Sequence, residues 1–288
     1  MDLLATIEQI ALPKQMPDGS LEPILAVEQV ERLAVRFNTD GRTVEITAME
    51  NGIIPERYSR NLHTYTLIQQ VRLLKSCVAV IGLGGLGGTV TECLARAGVG
   101  KLVLADHDEF EDHNLNRQLL CTQDLIGSSK AQSAAERVMR INNSVSVNCY
   151  ADFLSEKNAE RILDGCEAVV DCLDSIDSRF VLEGAAKQAG IPLISAAVAG
   201  LSGQITTIFP EDTGLELIYG PRKELHQFKG VETTLGCLPQ AVMLTAAAES
   251  AEVIKVLLDQ PVLRDRLLMI DVATHTYEVL ILQHSENP

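Results

Sequence analysis

The chain has 288 residues, 46% hydrophobic and 22% charged, enough apolar material for one large α/β core and too much for a disordered chain. Its 39 acidic against 24 basic residues give a formal charge of -15, a surface that argues against nucleic-acid and membrane partners. Seven cysteines without a CxxC pair, and a start (MDLLATIEQI) without a secretory leader, read as reduced thiols in a cytoplasmic protein with no zinc expected.

In chain order, a helix is predicted near 2–10, a Pro/Gly turn region at 13–20 (PKQMPDGS) and a helix near 27–36. A turn at Asp40-Gly41 then precedes a candidate strand, TVEIT. Residues 1–55 thus form a small N-terminal element whose role the sequence does not disclose. A helix from Leu67 leads into strand 78–82, apolar throughout as a strand covered on both faces should be. Helix 87–97, strand 101–106, helix 129–140, strand 144–150, helix 156–164, strand 167–171, helix 178–189 and strand 192–198 continue the alternation. After a return strand at 203–209, a polar crossover at 211–236 precedes helix 239–258 and strands 267–272 and 276–282. Glu249, Glu252 and Lys255 interrupt the longest apolar helix, which excludes a membrane span there. The alternation predicts an α/β fold, a Rossmann-like three-layer sandwich with a mixed, largely parallel sheet, over 56–284.

Gly82, Gly84 and Gly87 sit between a buried strand and a helix, and Asp106 ends the next strand. The first glycine permits the turn, the second admits a phosphate, and the third lets helix and strand pack, while the helix N-terminus supplies amide donors. Asp106 would accept hydrogen bonds from ribose hydroxyls. The loop alone does not separate a dinucleotide from ATP. The extra glycines Gly85 and Gly88, with Asp108, Arg117, Lys130 and Asp174 beyond, favour ATP: a triphosphate needs cations and an acid to hold Mg²⁺.

With these residues in place, the chain resembles the ThiF/MoeB/HesA family, bacterial relatives of ubiquitin-activating enzymes, from about Arg57 to Leu282. The motifs are RYSRN at 57–61, GLGGLGG at 82–88, DHDEFEDHNLNRQ at 106–118, Gly127 with Lys130, Asn142, DCLDSIDSR at 171–179, and Glu252 with Lys255. The resemblance implies ATP and Mg²⁺ as cofactors. It implies adenylation of the C-terminal glycine of a small ubiquitin-like sulfur-carrier protein ending in Gly-Gly. It assigns the ribose to Asp106, phosphates to Asn114, Arg117 and Lys130 with Gln118 in support, and the metal to Asp174. It also implies a homodimer in which Arg60 reaches the partner's ATP site. The alternative for Arg57 and Arg60 is a pair of surface charges before a helix. Asp171 is taken as structural beside a functional Asp174. The six histidines show no ligand or triad spacing.

Where relatives usually have two CxxC pairs, this chain has none. Ser175 stands where Asn is usual and would reach a nucleotide only through water. Asn61 replaces a more usual Gln. The crossover contains no cysteine; Cys237 just beyond it is read as packed, with a thioester or persulfide nucleophile as the alternative. The shortened loop favours adenylation alone. Other classes stay open: a NAD-binding oxidoreductase, an enzyme activating a tRNA-bound carboxylate, and a non-catalytic nucleotide-binding subunit.

Overall fold

The structure, a computed structural model, describes residues 2–225 and 235–282. The chain opens with α1 (Leu3–Ile10), β1 (Leu12–Gln15), β2 (Leu21–Leu25), α2 (Val27–Phe37), α3 (Gly41–Glu50) and β3 (Ile54–Pro55). The strands form a small sheet in the order β1-β2-β3, and Ile7, Leu25, Val30, Leu33, Val44 and Ala48 fill a core of their own.

In this segment one expectation fails and another holds only in its second half, where Gly19 N donates to the Met16 carbonyl across a turn. The turn region at 13–20 supplies β1, which pairs antiparallel with β2 and sets Pro13 opposite Pro23. A proline is tolerated there because β1 is an edge strand, where a missing N–H need not break a ladder. The TVEIT strand is the middle of helix α3. Asp40 Oδ1 accepts a hydrogen bond from Thr43 N at 2.7 Å, and Val44 and Ala48, one turn apart, both face the core. The alternation of β-branched residues loses to a cap and a helical stripe.

From α4 (Leu67–Lys75) the chain winds through β4 (Cys77–Ile81), α5 (Gly85–Ala97), β5 (Lys101–Ala105), α6 (Lys130–Ile141) and β6 (Ser146–Tyr150). It continues through α7 (Ala159–Leu163), β7 (Ala168–Asp171), α8 (Ile176–Ala189), β8 (Leu193–Ala199) and β9 (Ser202–Ile208). The described end comprises α9 (Glu216–Tyr219), α10 (Pro239–Leu257), β10 (Arg266–Asp271) and β11 (Thr276–Ile281). The eight-stranded sheet runs β11-β10-β9-β8-β7-β4-β5-β6, parallel from β6 to β8 and antiparallel from β8 onward. Apolar residues of α5, α6 and α10 cover one face (Val90, Leu94, Ala134, Val138, Ala246, Val253), and those of α7 and α8 the other (Ile162, Phe180, Leu182). This is the mixed three-layer sandwich expected.

Strand β4 lies between β5 and β7, so successive connections leave it in opposite directions. That reversal opens a crevice at the carboxyl ends of the parallel strands, where doubly wound sheets hold ligands. No described helix is long and apolar enough to cross a membrane.

Candidate active site

The glycine loop is shaped by contacts within the chain. Gly82 has φ +87°, and a Cβ there would lie 2.6 Å from the Cys172 carbonyl oxygen. At Gly87 a Cβ would lie 1.8 Å from the Gly82 carbonyl oxygen, so no side chain fits between helix and loop. Gly85 and Gly88 have a different reason from the one their pattern suggested. Their Cβ atoms would meet Val242 of α10 at 2.8 Å and Leu120 at 3.1 Å, so they admit neighbouring side chains. Gly84 precedes α5 and has no side chain to cap it, which leaves the first amides of a thirteen-residue helix open to an anion.

Asp106, following β5, is the loop's anchor. Its carboxylate accepts from Leu83 N at 2.6 Å and Asp108 N at 2.8 Å, which fixes the glycine loop to the second strand. Beyond it, Asn114 is buried and its Oδ1 accepts from Glu111 N at 3.0 Å, bracing the loop from within. Arg117 is half-buried and donates to the His113 carbonyl and to Asn116 Oδ1, each at 2.9 Å. Gln118 is buried beside Gly84, its Nε2 lying 3.4 Å from where a Cβ of Gly84 would be, and its Oε1 has no hydrogen-bond partner among the described residues. A buried unpaired amide oxygen at the mouth of an uncapped helix suits a polar ligand.

Lys130, the first residue of α6, is buried and donates from Nζ to Asp108 Oδ2 at 2.9 Å. Partial burial opposes the charge of Asp108, but the Lys130 hydrogen bond and charge outweigh it and hold that carboxyl below its usual range. His107 Nε2 lies 3.1 Å from Asp108 Oδ1, and Asp106, His107 and Asp108 bring one ligand atom each within 4.8 Å of one another. His226 and His284, like crossover residues 226–234, lie outside the described residues.

The loop after β7 forms the other wall. Asp171 is fully buried and accepts from Arg179 Nη1 at 2.9 Å, Ser195 Oγ at 2.7 Å and Leu173 N at 3.1 Å. Arg179 also donates to the Leu173 carbonyl. This brace fixes the turn that carries Asp174, which is exposed and engaged by no hydrogen bond or ion pair among the described residues. Ser175 caps α8: its Oγ accepts from Ser178 N at 3.1 Å. Cys237 is half-buried; its Sγ donates to the Val198 carbonyl at 3.5 Å, and its own carbonyl accepts from Asn116 Nδ2 at 3.3 Å.

Arg60 is the outlying residue. It is exposed and lines a cleft of about 500 Å³ with Lys14, Gln15, Met16, Pro17, Gly19 and Ser59, away from the glycine loop. Its neighbours in RYSRN have structural work. Arg57 donates to Asn142 Oδ1 and lies 3.1 Å from Glu45, while Asn142 Nδ2 donates to Tyr58 Oη at 2.8 Å.

The sequence profile described as the ThiF family matches residues 58–288. The chain belongs to the ThiF family. That membership puts it in the ThiF/MoeB/HesA-like superfamily of ATP-using adenylyltransferases. This ThiF-family chain is 34% identical over 234 residues to the SAMP-activating enzyme E1 of Haloferax volcanii, covering 78% of the chain and 84% of that protein. It is 41% identical over 160 residues to the adenylyltransferase and sulfurtransferase MOCS3 of Mus musculus, covering 55% of the chain but 35% of that longer protein. The fold is shared with E. coli MccB in complex with ATP (TM-score 0.66, 22% identity, 89% of this chain and 83% of that one). It is shared also with E. coli TcdA, a tRNA N6-threonylcarbamoyladenosine dehydratase (TM-score 0.60, 20% identity, 71% of this chain and 95% of that one).

Proposed function

We propose that this chain uses ATP to adenylate a C-terminal carboxylate, that of the last glycine of a small ubiquitin-like sulfur-carrier protein ending in Gly-Gly. The observation that carries the reading is the uncapped N-terminus of α5 at Gly84, with Gln118 Oε1, unpaired among the described residues, beside it and a buried Lys130 at the start of α6. The similarity to a SAMP-activating enzyme supports a small protein as substrate.

In this reading a carboxylate oxygen of the carrier tail attacks the α-phosphorus of ATP. An oxygen–phosphorus bond forms, the bond to pyrophosphate breaks, and acyl-adenylate results. No protein nucleophile is required. Asp106 receives the ribose hydroxyls, while the α5 amides with Arg117 and Lys130 offset repulsion between carboxylate and triphosphate. Gln118 and Asn114 hold the phosphate-side loop in shape. Asp174 has a free carboxylate suited to Mg²⁺, which binds through one or two carboxylates plus phosphates and would neutralise pyrophosphate as it leaves. Arg60 acts on the second copy of a homodimer. The acidic surface disfavours a tRNA-bound carboxylate.

The test is ATP–pyrophosphate exchange with a ubiquitin-like carrier ending in Gly-Gly and with the same carrier lacking its last two residues. Exchange with the first alone is expected. Equal exchange with both, or none with either when ATP binds, would remove the carrier assignment.

A further inference from the structure

Cys77 opens β4, and Cys166 precedes β7, the strand beside it. Their sulfur atoms lie 3.6 Å apart at the amino edge of the sheet, opposite the glycine loop, and no step of the adenylation uses them. Glu167 N donates to the Cys77 carbonyl at 2.8 Å, so Cys166 stands one residue out of register with Cys77 on the neighbouring strand. From 3.6 Å the two sulfur atoms need to approach by about 1.5 Å to reach the roughly 2.05 Å of a disulfide bond.

We propose that Cys77 and Cys166 are a redox pair that a hydroperoxide converts to a reversible disulfide, tying β4 to the start of β7. Both thiols are 7% exposed, and the segment before Cys166 reaches the surface at Asp164 and Gly165, so a small oxidant can approach. The Cys166 hydrogen bond lowers the Cys77 thiol, burial and the Glu167 carboxylate oppose it, and Lys101 and Arg42 add to the lowering. The same contact and burial raise Cys166. Lys101 stands directly opposite Cys77 on β5, a cation placed to favour a thiolate there, so Cys77 is assigned as the attacking sulfur and Cys166 as the resolving thiol. In the first step the Cys77 thiolate displaces hydroxide from hydrogen peroxide and becomes a sulfenic acid. In the second, the Cys166 sulfur attacks that sulfenic acid and water leaves. Overall two thiols lose two electrons and two protons, and one peroxide becomes two waters.

The experiment uses the intact chain treated with hydrogen peroxide, then denatured and blocked with iodoacetamide before digestion. Mass spectrometry is expected to find the Cys77 and Cys166 peptides linked, with two hydrogens lost, and dithiothreitol to release them. The Cys166→Ser chain should instead retain a sulfenic acid at Cys77 that dimedone traps. Blocked, unlinked peptides at both positions in the oxidised wild-type chain, or either cysteine carried to sulfinic acid without a link, would overturn the proposal.

Discussion

Lys130 shows how one side chain bears on the function. A cation at the first position of a helix faces the positive end of the dipole, so an anion must hold it there. Asp108 supplies one at 2.9 Å, which separates a structural role from a phosphate role by experiment. If the ammonium acts on ATP, Lys130→Met lowers pyrophosphate exchange by about 10²–10³-fold, the usual cost of removing one preorganised donor. The double variant Asp108→Asn with Lys130→Met should stay as low; recovery of exchange would show that Lys130 serves only to neutralise Asp108. Asp174→Ala and Arg117→Ala are expected to come close to abolishing exchange without changing thermal stability, since Asp174 is exposed and the side-chain hydrogen bonds of Arg117 among the described residues stay within its own loop. Near-normal exchange in either variant would count against the assignment.

At the scale of elements, α8 shows a residue with a local task where the family comparison suggested a ligand. Ser175 Oγ holds Ser178 N at the start of the helix. Ser175→Ala should therefore cost about 1 kcal/mol of stability, read as a small drop in denaturation midpoint, and leave the KM for ATP unchanged. A raised KM with an unmoved midpoint would instead give the serine to the nucleotide. The N-terminal helices show the converse problem for sequence reading. TVEIT alternates like a strand over five residues, but the decisive signals were Asp40 one turn earlier and the four-residue spacing of Val44 and Ala48.

For the whole molecule, the join between the N-terminal segment and the sheet domain is a buried polar network. Glu45 of α3 meets Arg57 at 3.1 Å and accepts from Tyr58 Oη at 3.3 Å, and Asn142 binds both Arg57 and Tyr58. Burial pushes the Glu45 carboxyl up from 4.5 to about 7, with Arg57, Ser144 and Tyr58 pulling the other way. The folded chain thus keeps a proton that the unfolded chain releases. The resulting stability is full below pH 4.5 and is lost as pH rises through about 7. Urea denaturation of wild type and Glu45→Gln should show wild type losing ground steadily across that window. A constant difference would mean Glu45 stays ionised throughout. If Arg60 acts across a homodimer, Arg60→Ala and Lys130→Met chains should each be nearly inactive alone and regain partial exchange when co-refolded. No recovery would leave Arg60 to its own cleft.

The local chemistry of the chain was enough to locate the parallel strands, the turn that needs glycine at Gly82, and the acid at Asp106. These depend on period, backbone conformation and residue type within short stretches. What only the tertiary structure decided are the contacts between distant segments: Val242 and Leu120 over Gly85 and Gly88, Asp108 against Lys130, and Glu45 beneath Arg57. A sequence window records what one residue can do, whereas its partner across the fold is set by how helices and sheet pack, and that geometry has no local signature.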